Sequence, residues 1–330
     1  MNAFASLPVL VLAASHLGNA EAAAASTPAQ FQTVSRFEIE RGLGDSAGLG
    51  SAVDMAVDGR SLLYVASGLQ RLDLASGKVE TVVSDQEWRA ANLEQASPLK
   101  LHTAGSAGRL VYVEESGSPC PWRVFLVTPA PFTVSLLTER ACGRIVLSPA
   151  EDRVAVTTRE TCEGRPCGEE GLLLFSVVTG RSLFESKIAP DHVDAYWEGE
   201  ERFVLRYEDH FDPKEQRYFY NAVPALQVEG AGWRLGEPEP SPKPRVREIE
   251  VGLDATIKLS GTATAAGIVR LEINNLLGPP PGEFRAGTPR VFRTGDRVVV
   301  VRSLFEKQPA TGLAPRRREQ VVVIELKAKS

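Results

Sequence analysis

Two copies of one short pattern, Asp191-His192-Val193-Asp194 and Asp209-His210-Phe211-Asp212, bring together the residue types best suited to chemistry. Imidazole and carboxylate side by side are ligands for a divalent cation or an acid–base pair. The intervening segment reads as a hairpin turning near Glu198-Gly199-Glu200-Glu201, which sets residue 192 near 207 and 191 near 208. Both clusters then meet at one end of the hairpin. Asp191, His192, Asp209, His210 and Asp212 are therefore candidate ligands for a divalent cation. The plainer reading of the same residues is a polar loop end with surface histidines. No other cofactor is expected, because phosphate-binding glycine loops and dinucleotide fingerprints are absent from the sequence.

Gly44-Asp45-Ser46-Ala47-Gly48 matches the nucleophile-elbow pattern, which needs a strand before it and a long helix after it. Here Leu49-Gly50-Ser51-Ala52 and then a strand follow, so a glycine-rich linker is expected instead. The four cysteines, Cys120, Cys142, Cys162 and Cys167, are an even set that reads as two disulfides in an exported chain. Residues 122–128 and 132–139 form a hairpin that carries residue 120 back opposite a position close to 142. That hairpin pairs Cys120 with Cys142 and leaves Cys162–Cys167 to close a small loop. Tetrahedral zinc is the rival, but it favours two short-spaced pairs, and the sequence has one.

The elements that hold these residues are short strands. After residue 30 the chain alternates β-rich runs with Gly, Pro, Asp and Ser turns, and Gln86–Leu93 is the one stretch that predicts about two turns of helix. Residues 51–84, 98–139, 143–188, 193–237 and 246–285 each fit a four-strand plan, the last less regularly, and 289–328 supply three strands. The lone strand Phe31–Ile39 is expected to pair with Gln320–Leu326 and complete the sixth unit, removing two exposed edges.

Leu147-Ser148-Pro149-Ala150-Glu151-Asp152-Arg153 followed by Ser176-Val177-Val178-Thr179-Gly180-Arg181, and the similar Leu72-Asp73-Leu74-Ala75-Ser76-Gly77-Lys78, resemble a TolB-type or WD40-like propeller repeat. The resemblance covers most of 51–188 and lacks a true Trp-Asp signature. It implies an all-β fold, a β-propeller of about six four-stranded blades with the N-terminal strand closing the last. It specifies no function, since the superfamily includes accessory binding proteins, scaffolds and enzymes.

Bulk properties narrow the partners. A formal net charge of -5 gives no basic face for nucleic acid, and Arg316-Arg317-Arg318 reads as a solvated loop. Residues 1–26 read as a secretory signal, with the apolar run Leu7–Ala14 and small-residue sites near Ala20–Ala25, although no Lys or Arg precedes them. That run is too short to span a bilayer, and no later segment qualifies. Residues 27–330 are then one domain, expected to be a periplasmic or secreted monomer.

In each four-strand unit the connections after strands one and three are tight, as at Asp58-Gly59-Arg60 and Glu151-Asp152. Those after strands two and four are long, at about 84–97, 114–121, 159–170, 207–217, 236–246 and 303–319. Long connections in compact domains tend to carry function. The expected activity is non-enzymatic binding of a protein or another envelope macromolecule through the long-loop face. The alternative is a metal-dependent propeller hydrolase or lactonase using His192 and His210.

Overall fold

The computed structural model describes residues 30–41, 53–56, 59–66, 68–93, 98–104, 108–115, 120–162, 165–188, 192–214, 217–241, 249–251, 256–259, 269–272, 276–287, 289–294, 297–307 and 317–327. The segments read as a signal, 1–26, and as a linker, 44–48, lie outside these residues, as does Asp191.

The fold is nearly all β, built of antiparallel sheets whose strands follow one another along the chain. The first is β2 (Val53–Met55), β3 (Ser61–Ala66), β4 (Gly68–Asp73) and β5 (Val79–Val83), in that order. After it comes the single helix among the described elements, α1 (Asp85–Ala90). Ser84 caps it, donating from its backbone N–H to Glu87 at 3.0 Å and accepting from Glu87 N–H at 3.2 Å. This capping box satisfies two amide groups at the helix start and explains why so short a helix forms.

A seven-stranded sheet follows: β6 (Pro98–Ala104), β7 (Arg109–Glu115), β8 (Trp122–Pro129), β9 (Phe132–Leu147), β10 (Arg153–Cys162), β11 (Arg165–Ser176) and β12 (Ser182–Ile188). It is two four-strand units fused through β9, whose first half pairs with β8 and whose second half pairs with β10. The next sheet holds β13 (His192–Trp197), β14 (Arg202–Asp212), β15 (Arg217–Val228) and β16 (Gly232–Leu235), with β17 (Glu239–Ser241) also on β15. A three-stranded sheet of β18 (Ile249–Val251), β19 (Thr256–Leu259) and β20 (Val269–Glu272) comes next.

The last sheet contains β21 (Phe284–Ala286) and β22 (Arg290–Thr294), both on β23 (Arg297–Glu306), then β24 (Arg317–Lys327) and finally β1 (Gln30–Arg41). The β1–β24 ladder runs from Gln30↔Lys327 to Arg41↔Arg317, so the pairing expected for the N-terminal strand is present.

Turn chemistry repeats with the strands. Asp73 N–H donates to Lys78 O at 2.9 Å and Gly77 N–H to Asp73 O at 2.9 Å; Ser176 and Gly180 make the same two bonds, at 2.9 and 2.8 Å. Gly77 and Gly180 both sit at φ +72, a left-handed conformation that glycine adopts without steric cost. Three four-strand units also tie this turn to the one after their first strand, through Leu74 N–H to Arg60 O, Val177 N–H to Asp152 O and Gln227 N–H to Glu201 O.

Strands buried on both faces explain how the sheets stack. Alternate residues of a strand point to opposite faces. Leu63 and Val65 pack toward β6–β8 with Trp88 and Tyr112, whereas Leu62 and Tyr64 pack against Val299, Val301, Val321 and Val323 of the last sheet. Leu173 and Phe175 face Val111 and Val113, while Leu172 and Leu174 face Phe203 and Leu205 of the β13–β16 sheet. The C-terminal sheet thus packs on the first sheet, the first on the second unit, and so on to the β13–β16 sheet. Trp88, Trp197 and Trp233 belong to this packing.

Two of the long connections are shorter than the sequence implied. Within 159–170 and 207–217 the ladders resume after bulges at Arg159/Thr161 and Glu208/His210 and reach Cys162↔Arg165 and Asp212↔Arg217.

Candidate functional site

A recess lies on the long-loop side, where the fused sheet bends. β9 passes from β8 to β10 at Ala141, and the ladder is interrupted at Cys142-Gly143 before resuming at Ile145. Gly143 has φ +107, and a side chain there would meet Thr157 Oγ1 at 2.8 Å. Thr157 restores the bonding that the bend breaks: its hydroxyl donates to Cys142 O at 2.9 Å and accepts from Arg144 N–H at 2.7 Å. The disulfide Cys120–Cys142 spans the bend, with Cα atoms 5.4 Å apart. Closing a loop of that sequence separation, 22 residues, stabilises by about 3 kcal/mol in chain-entropy terms. This is the pairing the hairpin register predicted. The side chains of Cys162 and Cys167 lie outside the described residues.

Beside the bend is a cavity of about 610 Å³. Its walls come from β9 (Glu139, Arg140), β10 (Thr158, Arg159, Glu160), β11 (Glu170, Gly171, Leu173) and β12 (Glu185, Ser186, Lys187), with Pro121 at one end. Gly171 opens its floor, since a Cβ there would lie 2.5 Å from Thr158 Oγ1. Arg140 Nη2 bonds Glu185 Oε1 at 2.8 Å across the mouth, and both side chains are exposed.

At the inner end Glu170 is buried with both carboxylate oxygens engaged. Arg159 Nη1 is 3.4 Å from Oε1, and His192 Nδ1 is 2.9 Å from Oε2. The His192 ring meets Tyr207 edge-on, with centroids 6.4 Å apart. Tyr207 Oη is buried without a hydrogen-bond partner among the described residues. Burial, reinforced by the Glu170 charge, raises its phenol above the ordinary value. Arg144 Nη2 donates to Val193 O at 3.1 Å and anchors β13 to the bend. The whole is a groove of alternating charge around a rigid, cross-linked bend. It offers paired guanidinium and carboxylate groups at its rim, suited to polar and charged ligand groups.

The residues proposed as metal ligands are distributed differently. His192 does lie opposite Tyr207 in the ladder, as the hairpin expectation required, but its ring turns to Glu170. His210 is exposed, with Nδ1 2.6 Å from Asp209 Oδ2 and its ring stacked on Phe219 at 4.8 Å. Asp212 Oδ1 accepts from Lys214 N–H at 2.7 Å. Among the described residues no three or more His, Cys, Asp or Glu side chains are grouped to hold a metal ion. The sequence reading missed Arg140, Arg159, Glu170, Glu185 and Lys187. The one local signal was Glu169-Glu170-Gly171, two acids and a glycine where a strand begins to be buried.

No protein-family model matches the chain, and no curated protein does. Solved structures to which it is similar are β-propeller and related proteins. The β-propeller domain of the Trilobed protease from Pyrococcus furiosus is 7% identical, with a TM-score of 0.42, over 83% of this chain and 84% of that one. BamB from Moraxella catarrhalis is 12% identical, with a TM-score of 0.38, over 92% and 99%. TolB from Acinetobacter baumannii is 15% identical, with a TM-score of 0.35, over 82% and 62%. Among the described residues no helix is long and apolar enough to cross a membrane.

Proposed function

We propose that this is an exported β-propeller of about six blades, closed by β1 on the last, that binds a protein or other envelope macromolecule through its long-loop side without catalysis. The consecutive stacking of sheets from the C-terminal one round to β13–β16 supports the ring. The apolar, alanine-rich start of the chain supports export.

The observation that carries the binding role is the charged cavity of about 610 Å³ beside the Cys120–Cys142 cross-link. A stapled bend keeps the rim charges in place before a partner arrives, which lowers the ordering cost of association. The test is retention of a native envelope partner on immobilised protein. Parent protein should retain it, and Arg140→Glu with Lys187→Glu should not. Equal retention by both would remove the groove from the binding surface.

A further inference from the structure

The outermost strand of the second four-strand unit differs from its counterparts. Between Phe132 and Thr138, β9 bonds to β8 on one side, and its pairing with β10 begins only at Ala141. The segment reads Phe132-Thr133-Val134-Ser135-Leu136-Leu137-Thr138, strongly β-prone, with the charges of this edge, Glu139 and Arg140, only at its far end. The other outer strands carry charges: Glu80 on β5, Glu185 and Lys187 on β12, Arg234 on β16, Arg36 and Glu38 on β1. Charged residues on an edge discourage pairing with another chain, and an uncharged edge invites it.

A cleft of about 580 Å³ runs alongside this edge. The α1 residues Ala90 and Ala91 form one wall, and Phe125, Phe132, Val134 and Leu136 form the other. Phe132 stacks on buried Trp88, with centroids 6.2 Å apart, so the wall is fixed by the core. Leu136 is 48% exposed. Glu139 lines both this cleft and the charged cavity. The carboxylates Glu87 and Glu139 stand in the cleft, and its one guanidinium, Arg123, is already paired with buried Glu114.

We propose that the edge of β9 at Phe132–Thr138 accepts an extended peptide as an added strand. The peptide would have alternating apolar residues, which enter the cleft, and a basic residue that meets Glu139. This deepens the binding reading above and rests on it. Main-chain bonds to the edge would supply affinity, and the alternate pockets selectivity. A second copy of this chain fits less well. Antiparallel pairing of two copies centred on Ser135 would set Glu139 opposite Pro131, with no countercharge.

The test uses a labelled synthetic peptide, Lys-Thr-Val-Thr-Val-Thr-Val-Lys, titrated into the full chain and followed by fluorescence anisotropy and backbone amide exchange. Saturable binding with slowed exchange at 132–138 is expected. Leu136→Lys should weaken it by about tenfold or more, and Glu139→Gln should weaken it less, with melting unchanged in both. Loss of affinity in Leu136→Lys without a change in melting separates the edge from the fold. No saturation up to about 1 mM, or unchanged affinity in Leu136→Lys, would overturn the proposal. So would a dimer of the parent that Leu136→Lys dissolves, which would assign the edge to a second copy. Slowed exchange confined to 158–160 and 185–187 would also overturn strand addition while leaving the charged-groove reading intact.

Discussion

Glu170 and His192, on neighbouring sheets and 22 residues apart in sequence, meet at 2.9 Å with both side chains more than nine-tenths buried. Arg159 holds the other carboxylate oxygen, so one carboxylate links β10, β11 and β13. Removing it takes the one hydrogen-bonding carboxylate from the buried ring of His192. Breaking a buried pair by deleting one partner is strongly destabilising. Glu170→Ala is expected to lower unfolding free energy by about 3 kcal/mol in urea titrations, with Glu170→Gln intermediate. A change below about 0.5 kcal/mol, the level of an ordinary surface substitution, would show that the cluster does not organise this end of the fold.

Asp54 joins the first two units in a comparable way. Its Oδ2 accepts from Thr103 N–H at 2.7 Å, and its Oδ1 from Met55 N–H at 2.9 Å. Burial outweighs these bonds and pushes its carboxyl up from 3.8 to about 6. The folded chain then holds the proton to a higher pH than the unfolded chain. The contribution is complete below pH 3.8 and is lost as pH rises through about 6, on the order of 3 kcal/mol in all. His102, pushed down to about 4 mainly by burial, acts in the opposite sense. Only the difference between parent and Asp54→Asn is therefore diagnostic. Urea unfolding from pH 4 to 7 should show that difference shrinking against the parent up to about pH 6 and level beyond; a difference independent of pH would contradict the burial of Asp54.

β1 covers the outer edge of β24 over Gln30–Arg41. Deleting these residues is expected to lower the melting temperature and to promote self-association, because β24 would become an open edge in the sheet that packs on the first. Calorimetry and sedimentation check both effects. A truncated protein that melts like the parent and stays monomeric would show that β1 is dispensable to the fold.

The parts of the structure that were legible in the sequence are those written in local pattern. The uninterrupted apolar runs Leu62–Ala66 and Leu172–Phe175 mark strands buried on both faces. The glycines at 77 and 180 mark identical turns, and the hairpin from Trp122 to Ala141 sets Cys120 beside Cys142. The site was less legible. Arg159 and Glu170 sit among polar residues that read as a loop, because a bulge interrupts the alternation before the ladder resumes. His192 lies opposite Tyr207 across the hairpin, but Asp209 and His210 lie beyond the end of that ladder, where β14 pairs only with β15, and His192 finds its partner on another sheet. Contacts between sheets have no periodic trace in the chain.

We propose that binding occurs on the long-loop side, at the charged groove. The most direct measurement is the Kd of the retained envelope partner for two charge-reversed proteins of equal stability. One carries Arg140→Glu and Lys187→Glu at the groove; the other carries Arg60→Glu and Arg181→Glu, exposed on the tight-turn side. The first should bind at least about tenfold more weakly than the parent, a loss of about 1.4 kcal/mol, and the second should match the parent. Equal weakening in both, or weakening only in the second, would place the working surface on the opposite side.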